Sequence, residues 1–253
     1  MHTVGVDLAG RSERTALAVV AWTDGAATVV ELKVGVTDAD IVAAAHGAER
    51  IGIDAPFGWP DAFVELVTAH HAMHPTVRPA ETPTDRRTLV RRRTDWVVHE
   101  RTGIVPLSVS ADLIGHVALR CAGILTLLGA RGIDVDRADG SAVEAYPAAA
   151  LRSWGLIHKG YKTSGTGAFA ELTNAVLTAA PWLDLGRHAE LFRTDNDAFD
   201  AVVAALVARA VAVGQVLIPD DADREIAQRE GWIQLPVGEL GDLVSADCAT
   251  ETP

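Results

Sequence analysis

Cysteine is almost missing from this chain. Its 253 residues hold two, Cys121 in an apolar helical stretch and Cys248 in a polar tail, so neither a disulfide framework nor a thiolate metal site is expected, and the compartment is expected to be reducing. Positive charge is also scarce: 22 Lys and Arg stand against 34 Asp and Glu, a formal net charge of -12. That is the reverse of the balance found in proteins that grip nucleic acid through bulk charge, so any such contact needs a local patch. The opening MHTVGVDLAG lacks a basic region followed by a long apolar core, so no signal peptide and a cytoplasmic location are expected. The apolar run Ala201–Ile218 is long enough to suggest a membrane span, but Arg209 lies inside it and would cost about 2.5 to 3.5 kcal/mol on insertion scales. A buried helix and no membrane partner are expected instead. AHHAMH spaces His70 and His74 one helical turn apart but lacks the glutamate of HExxH, and SGTGAF lacks the lysine of a phosphate loop, so zinc and nucleotide readings are both weak.

What the chain does have is apolar residues, 49% of the total, enough for one sizeable α/β core. Residues 2–8, Thr15–Trp22 and Ala27–Gly35 read as three strands with turn signals between them, an antiparallel meander. A helix over Asp38–Ala48, capped by Thr37 or Asp38, leads to the strand RIGID, Arg50–Asp54, which the crossover rule makes parallel to an earlier strand. Helices are expected near Asp61–His71, Ala111–Gly129, Ala148–Gly155, Ala168–Ala180 and Asp197–Val213. A fifth strand is expected at Ser141–Tyr146 and a short one at Gly231–Pro236. The pattern is β-β-β-α-β-α-(insertion)-α-β-α: a single α/β domain over 1–240, a five-stranded mixed sheet with helices on both faces, and a tail over 241–253 expected to be disordered. The insertion, about 74–103, carries RRTLVRRR, five arginines in eight residues, and is expected to be helical or a solvated face.

Two phrases repeat: VGVDLAG puts Asp7 at the exit of the first strand, and IGIDAPFG puts Asp54 at the exit of the fourth. Singly, each reads as a strand-end aspartate making a turn with its own backbone. A third acid, Glu144, sits late in the fifth strand, and Asp197 and Asp200 share one face of the helix opened by TDNDAFDAVVAAL. Thr194 or Asp195 reads as the helix cap, with the other acids in the first turn, whereas Asp200 precedes an apolar run, and a buried acid there needs a counter-charge or a metal. Four such acids at one sheet edge are expected to converge. Their repulsion calls for a hard cation with oxygen ligands, Mg2+ or Mn2+, and a pair of such ions can activate water against a phosphodiester.

The phrases VGVDLAG, IGIDAPFGWP, RRTDW, VEAYPAAALRSWG, GYK and DAFDAVVAAL together resemble the family catalogued as domain of unknown function 429, regarded as a predicted nuclease with a ribonuclease H-like fold. The resemblance runs from about residue 2 to 236. It implies a ribonuclease H-like sheet with a helical Arg-rich insertion, a divalent-metal-dependent nuclease acting on DNA or RNA, and Asp7, Asp54, Glu144 and Asp200 as catalytic acids and metal ligands, with Asp197 as a further ligand. The helical DxxDA phrase is similar to that of Holliday-junction resolvases, although those carry glutamate at the fourth strand.

Arg93 in RRTDW and Lys162 in GYK also belong to the family pattern, and each is suited to a phosphate, the first bidentately and the second as a point charge. Local pairing of Arg93 with Asp95 and an exposed Lys162 is the plainer alternative. Trp59, beside the second acid phrase, can stack on a base, although core packing is the default for tryptophan. Two other functions fit the same pattern: a non-catalytic nucleic-acid or protein binding scaffold with a structural cation site, and an actin- or sugar-kinase-like nucleotide binder. The second normally needs two such domains and glycine-rich phosphate loops.

Overall fold

The computed structural model describes residues 1–74, 82–163 and 167–244. Ser164 to Thr166 of SGTGAF, residues 75–81 of the insertion, Cys248 and the tail from 245 onward lie outside the described residues. The elements in chain order are β1 (His2–Asp7), β2 (Ala16–Thr23), β3 (Ala26–Val34), α1 (Asp38–Ala45), β4 (Arg50–Asp54), α2 (Asp61–His71), α3 (Pro83–Val90) and α4 (Arg93–Thr102). They continue with α5 (Gly115–Gly129), β5 (Ala142–Ala145), α6 (Pro147–Ser153), α7 (Ala168–Ala179), β6 (Leu183–Asp184), α8 (Ala189–Thr194), α9 (Asn196–Ala212) and α10 (Asp221–Glu230).

The chain forms an α/β structure around a mixed sheet in the order β5-β4-β1-β2-β3-β6. The meander β1-β2-β3 is antiparallel, and its second turn carries Gly25 at φ +71°, a conformation that glycine adopts without steric cost. From β3 the chain crosses through α1 to β4, which lies parallel to β1 with Gly5 opposite Gly52 and Asp7 opposite Asp54. The α1 start is fixed reciprocally: Thr37 Oγ1 accepts from the Asp40 amide at 3.3 Å and Asp40 Oδ2 accepts from the Thr37 amide at 2.8 Å. β5 extends the parallel half on β4.

Helices cover both faces of the sheet. One face packs α9, with α6, α7 and α8 around it, against β1 to β4 through residues such as Val20, Leu172, Phe192, Phe199 and Leu206. The other packs α1 and α5 through Val4, Val6, Ile41, Ile53, Ile124 and Leu128. Every residue of α9 from Ala198 to Ala210 is buried. This is the apolar run that suggested a membrane span, and no described helix is long and apolar enough to cross a membrane.

Three expectations are corrected. The sheet has six strands and not five, because β6 pairs two residues with the free edge of β3; a strand this short carries no alternation to read. GWIQLP does not form a regular strand. Ile233 makes one isolated bridge to Glu144 and Pro236 another to Val216. Between Val216 and Ile233 in sequence lies α10, a polar helix absent from the expected pattern, capped by Asp220, which accepts from the Asp223 amide at 2.9 Å. It ends at Glu230, whose carboxylate takes the Asp61 amide at 2.7 Å and the Arg93 amide at 2.6 Å, so one buried acid satisfies the N-termini of both α2 and α4. The described part of the Arg-rich insertion is helical, as α3 and α4. At the far end of the domain a short 3-10 turn, Leu240–Val244, buries Leu240 and Leu243.

Candidate functional site

The repeated G-x-D phrase has a geometric reason. Side chains alternate along a strand, so Gly5 and Asp7 face the same side of β1, as Gly52 and Asp54 do in β4, and the parallel register sets the two pairs side by side. That side carries α9. A Cβ placed on Gly5 would lie 2.0 Å from the Ala201 carbonyl oxygen, and one on Gly52 would lie 2.4 Å from that of Ala204. Without side chains at these positions the helix backbone rests directly on the sheet. Asp200, one turn before Ala204, is thereby carried to the strand exits, and one carboxylate oxygen each of Asp7, Asp54 and Asp200 lies within 4.8 Å of the others.

Asp200 is fully buried, and Asp7 and Asp54 are partly so. Burial, followed by mutual repulsion, raises the proton affinity of the first two: Asp7 is held well above the usual carboxylate range, and Asp54 is pushed up to about 7. Burial also raises Asp200, opposed by two donors. Lys162 Nζ stands 2.5 Å from its Oδ2, and Tyr161 Oη donates to Oδ1 at 2.9 Å. Burial disfavours the Lys162 ammonium, but Asp200 and Asp7 outweigh it and keep the group charged. Tyr161 is kept protonated by burial and by Asp200.

Asp197, three residues before Asp200, sits at the rim, where Arg14 Nε pairs with it at 2.9 Å. Asp195 caps α9, accepting from the Ala198 amide at 2.8 Å.

Glu144 does not join the cluster, contrary to expectation. Register puts Ala145, not Glu144, opposite Asp54, and an offset of one residue turns a side chain to the other face of a sheet. There Glu144 meets Arg92 in a bidentate pair, Nη2 to Oε1 at 2.7 Å and Nη1 to Oε2 at 2.9 Å, and accepts from the Phe57 amide at 3.0 Å. Arg92 Nη2 also reaches Asp95 Oδ1 at 3.0 Å. All three charged residues are buried. Gly231 closes over them: a Cβ there would stand 2.7 Å from Glu144 Oε2.

The remaining expected site residues divide. Lys162 is at the cluster. Arg93 is instead paired with Asp223 of α10, Nε to Oδ1 at 2.7 Å, and Trp59 lines a separate hollow with Phe63, Leu113 and His116. Two contributors were not foreseen in these roles. Arg92 adjoins Arg93 in an unbroken RRR run that gives no sign of which side chain turns inward. Arg14 ends a short 3-10 turn, Ser12–Arg14, far from Asp197 in sequence.

Two clefts meet at the acids. One of about 280 Å³ is mostly apolar, walled by Leu8, Pro56, Leu107, Ile114 and Tyr146. Another of about 250 Å³ lies between Tyr146, His158 and Tyr161. Asp54, Tyr146 and Lys162 border both. Polar groups converging at the mouth of an apolar cleft are the usual arrangement of a ligand site.

Comparison with known proteins finds no match among curated proteins and none among solved structures. A family profile described as "Protein of unknown function (DUF429)" matches residues 5–224, most of the chain, and the protein therefore belongs to that family.

Proposed function

We propose that this protein is a divalent-metal-dependent nuclease built on a ribonuclease H-like fold. The fold reading is supported by strands β1 to β5 as a mixed sheet with helices on both faces, and by acids at the exits of the adjacent parallel strands β1 and β4. The observation that carries the functional reading is the convergence of Asp7, Asp54 and Asp200. Three carboxylates beside one ammonium leave a formal deficit of two positive charges, which a divalent cation fills.

The donor set fits Mg2+ or Mn2+: all oxygen, anionic, and free of histidine and thiolate. Asp7, Asp54 and Asp200 hold the ion. Such a cation supplies Lewis-acid polarisation of a phosphoryl oxygen and a lowered pKa for water. Tyr161 and Lys162 orient Asp200, and the Lys162 ammonium adds positive charge where a phosphodiester would lie. One ion per chain is proposed, because the other two acids expected as metal ligands are taken, Asp197 by Arg14 and Glu144 by Arg92.

Calorimetric titration with Mn2+, paired with cleavage assays on single-stranded, duplex and branched DNA, RNA and hybrids, tests this reading. Binding of one ion and metal-dependent cleavage, both lost in Asp54→Asn, are expected. The Lys162–Asp200 pair favours a second reading, a binding scaffold whose acids are partly neutralised from within. Metal binding without cleavage of any of these substrates decides for that scaffold.

A further inference from the structure

Resting on the nuclease reading, we propose that the substrate is an unpaired strand. One base occupies the apolar cleft beside Asp54, and the adjoining backbone and base pass into a second, basic cleft formed by the Arg-rich insertion.

That second cleft, about 350 Å³, is lined by Arg87, Arg91, Trp96, His99 and Val105 and shares Pro106 with the cleft beside Asp54. The two hollows are therefore neighbours along one wall, and Arg91 fixes that wall by donating through Nη1 to the Pro106 carbonyl. Asp95 also borders the basic cleft, but it does not cancel the arginines: its Oδ1 takes Arg92 Nη2 and its Oδ2 takes the Arg92 amide at 2.9 Å. Arg87 and His99 are exposed on α3 and α4. A concentration of positive charge in a chain of net charge -12 is local by construction, and the anion it suits is a phosphate.

The choice of an unpaired strand follows from the aromatic and apolar content. Trp96, half-buried in the cleft wall, offers a face to a base, and the cleft walled by Leu8, Pro56, Leu107 and Ile114 offers an apolar slot. In a duplex, base faces are covered by their neighbours and reach neither surface. In a single strand they are free to stack, and stacking combined with arginine contacts to the backbone is how such strands are held.

Fluorescence anisotropy of a labelled oligonucleotide, in EDTA so that cleavage does not intervene, tests the proposal. DNA and RNA single strands are compared with a duplex of the same sequence. The wild type is expected to bind at least one of the single strands about tenfold or more tightly than the duplex. Arg87→Glu, an exposed change, is expected to weaken that binding at least tenfold at unchanged Tm, and Trp96→Ala to weaken it about fivefold or more. Arg87→Ala lowers the slope of log affinity against log salt by about one. Equal or tighter duplex binding, or full affinity in a folded Arg87→Glu protein, overturns the proposal. Mn2+ binding with hydrolysis of bis(4-nitrophenyl) phosphate, but without single-strand preference, overturns this inference and leaves the nuclease reading standing. Single-strand binding in a protein that takes up no metal does the opposite.

Discussion

Gly5 stands opposite Gly52 in the parallel pair β1–β4, and neither position has room for a methyl group beneath the α9 backbone. This contact sets the height of α9 above the sheet and, through it, where Asp200 lies. Gly52→Ala is expected to force the helix outward, because the obstacle is the Ala204 carbonyl at 2.4 Å and not a side chain that can rotate. Overpacking of this kind costs about 1 to 3 kcal/mol. Thermal unfolding should show a lower Tm, and calorimetry should show Mn2+ affinity reduced more than tenfold. Wild-type metal affinity in a folded Gly52→Ala protein would break the link between helix height and site.

Much of this arrangement was legible from local signals. The strand Arg50–Asp54 and the helix Asp61–His71 have the bounds read from alternation and turn residues. Asp7, Asp54 and Asp200 stood out because a repeated G-x-D phrase and an acid entering an apolar run are each costly to explain otherwise. Glu144 was misplaced because the parity of β5 against β4 is a non-local quantity, set by pairing and invisible in SAVEAY. Arg92 and Arg93 differ by one position at a helix start, and only the docking of α4 against α6 and α10 decides which one turns inward. α10 is hard to read because DADREIAQRE is dominated by charge and offers only Ala222, Ile226 and Ala227 as apolar residues, and β6 because two residues carry no alternation.

The acids also predict how stability follows pH in the metal-free protein. Asp54 binds its proton more tightly folded, at about 7, than at its ordinary 3.8. The stability this group contributes is fully present below about 4 and is lost as pH rises to about 7. Asp54→Asn is expected to flatten the decline in Tm over that window, and Mn2+ affinity in the wild type should climb with pH until about 7, as protons cease to compete. Scans at half-unit pH steps, with and without Mn2+, check both. Identical pH profiles for wild type and Asp54→Asn would contradict the assignment.

Lys162 and a bound cation compete for Asp200. Lys162→Met keeps most of the stem and removes the charge 2.5 Å from Oδ2, so Mn2+ affinity is expected to rise on the order of tenfold, roughly 1.4 kcal/mol. Cleavage at saturating metal should fall, since the same ammonium is assigned to the phosphodiester. Unchanged affinity, measured by calorimetry, would mean that the lysine and the ion do not share this carboxylate.

Glu144 provides the sharpest separation between holding the fold and serving the site. Glu144→Gln leaves Arg92 buried with half of its pairing removed, and breaking a buried pair in this way costs about 3 to 5 kcal/mol. The stoichiometry of Mn2+ binding should stay at one ion, because none of the three converging carboxylates is touched. Adding Arg92→Met to Glu144→Gln removes the stranded charge, while the glutamine carbonyl can still accept from the Phe57 amide, so the double variant is expected to regain part of the lost Tm. Asp95 limits the recovery, since its Oδ1 also loses Arg92. A Glu144→Gln protein with wild-type Tm and no metal binding would make Glu144 a ligand and reverse its assignment as the partner that anchors the insertion helix to the sheet.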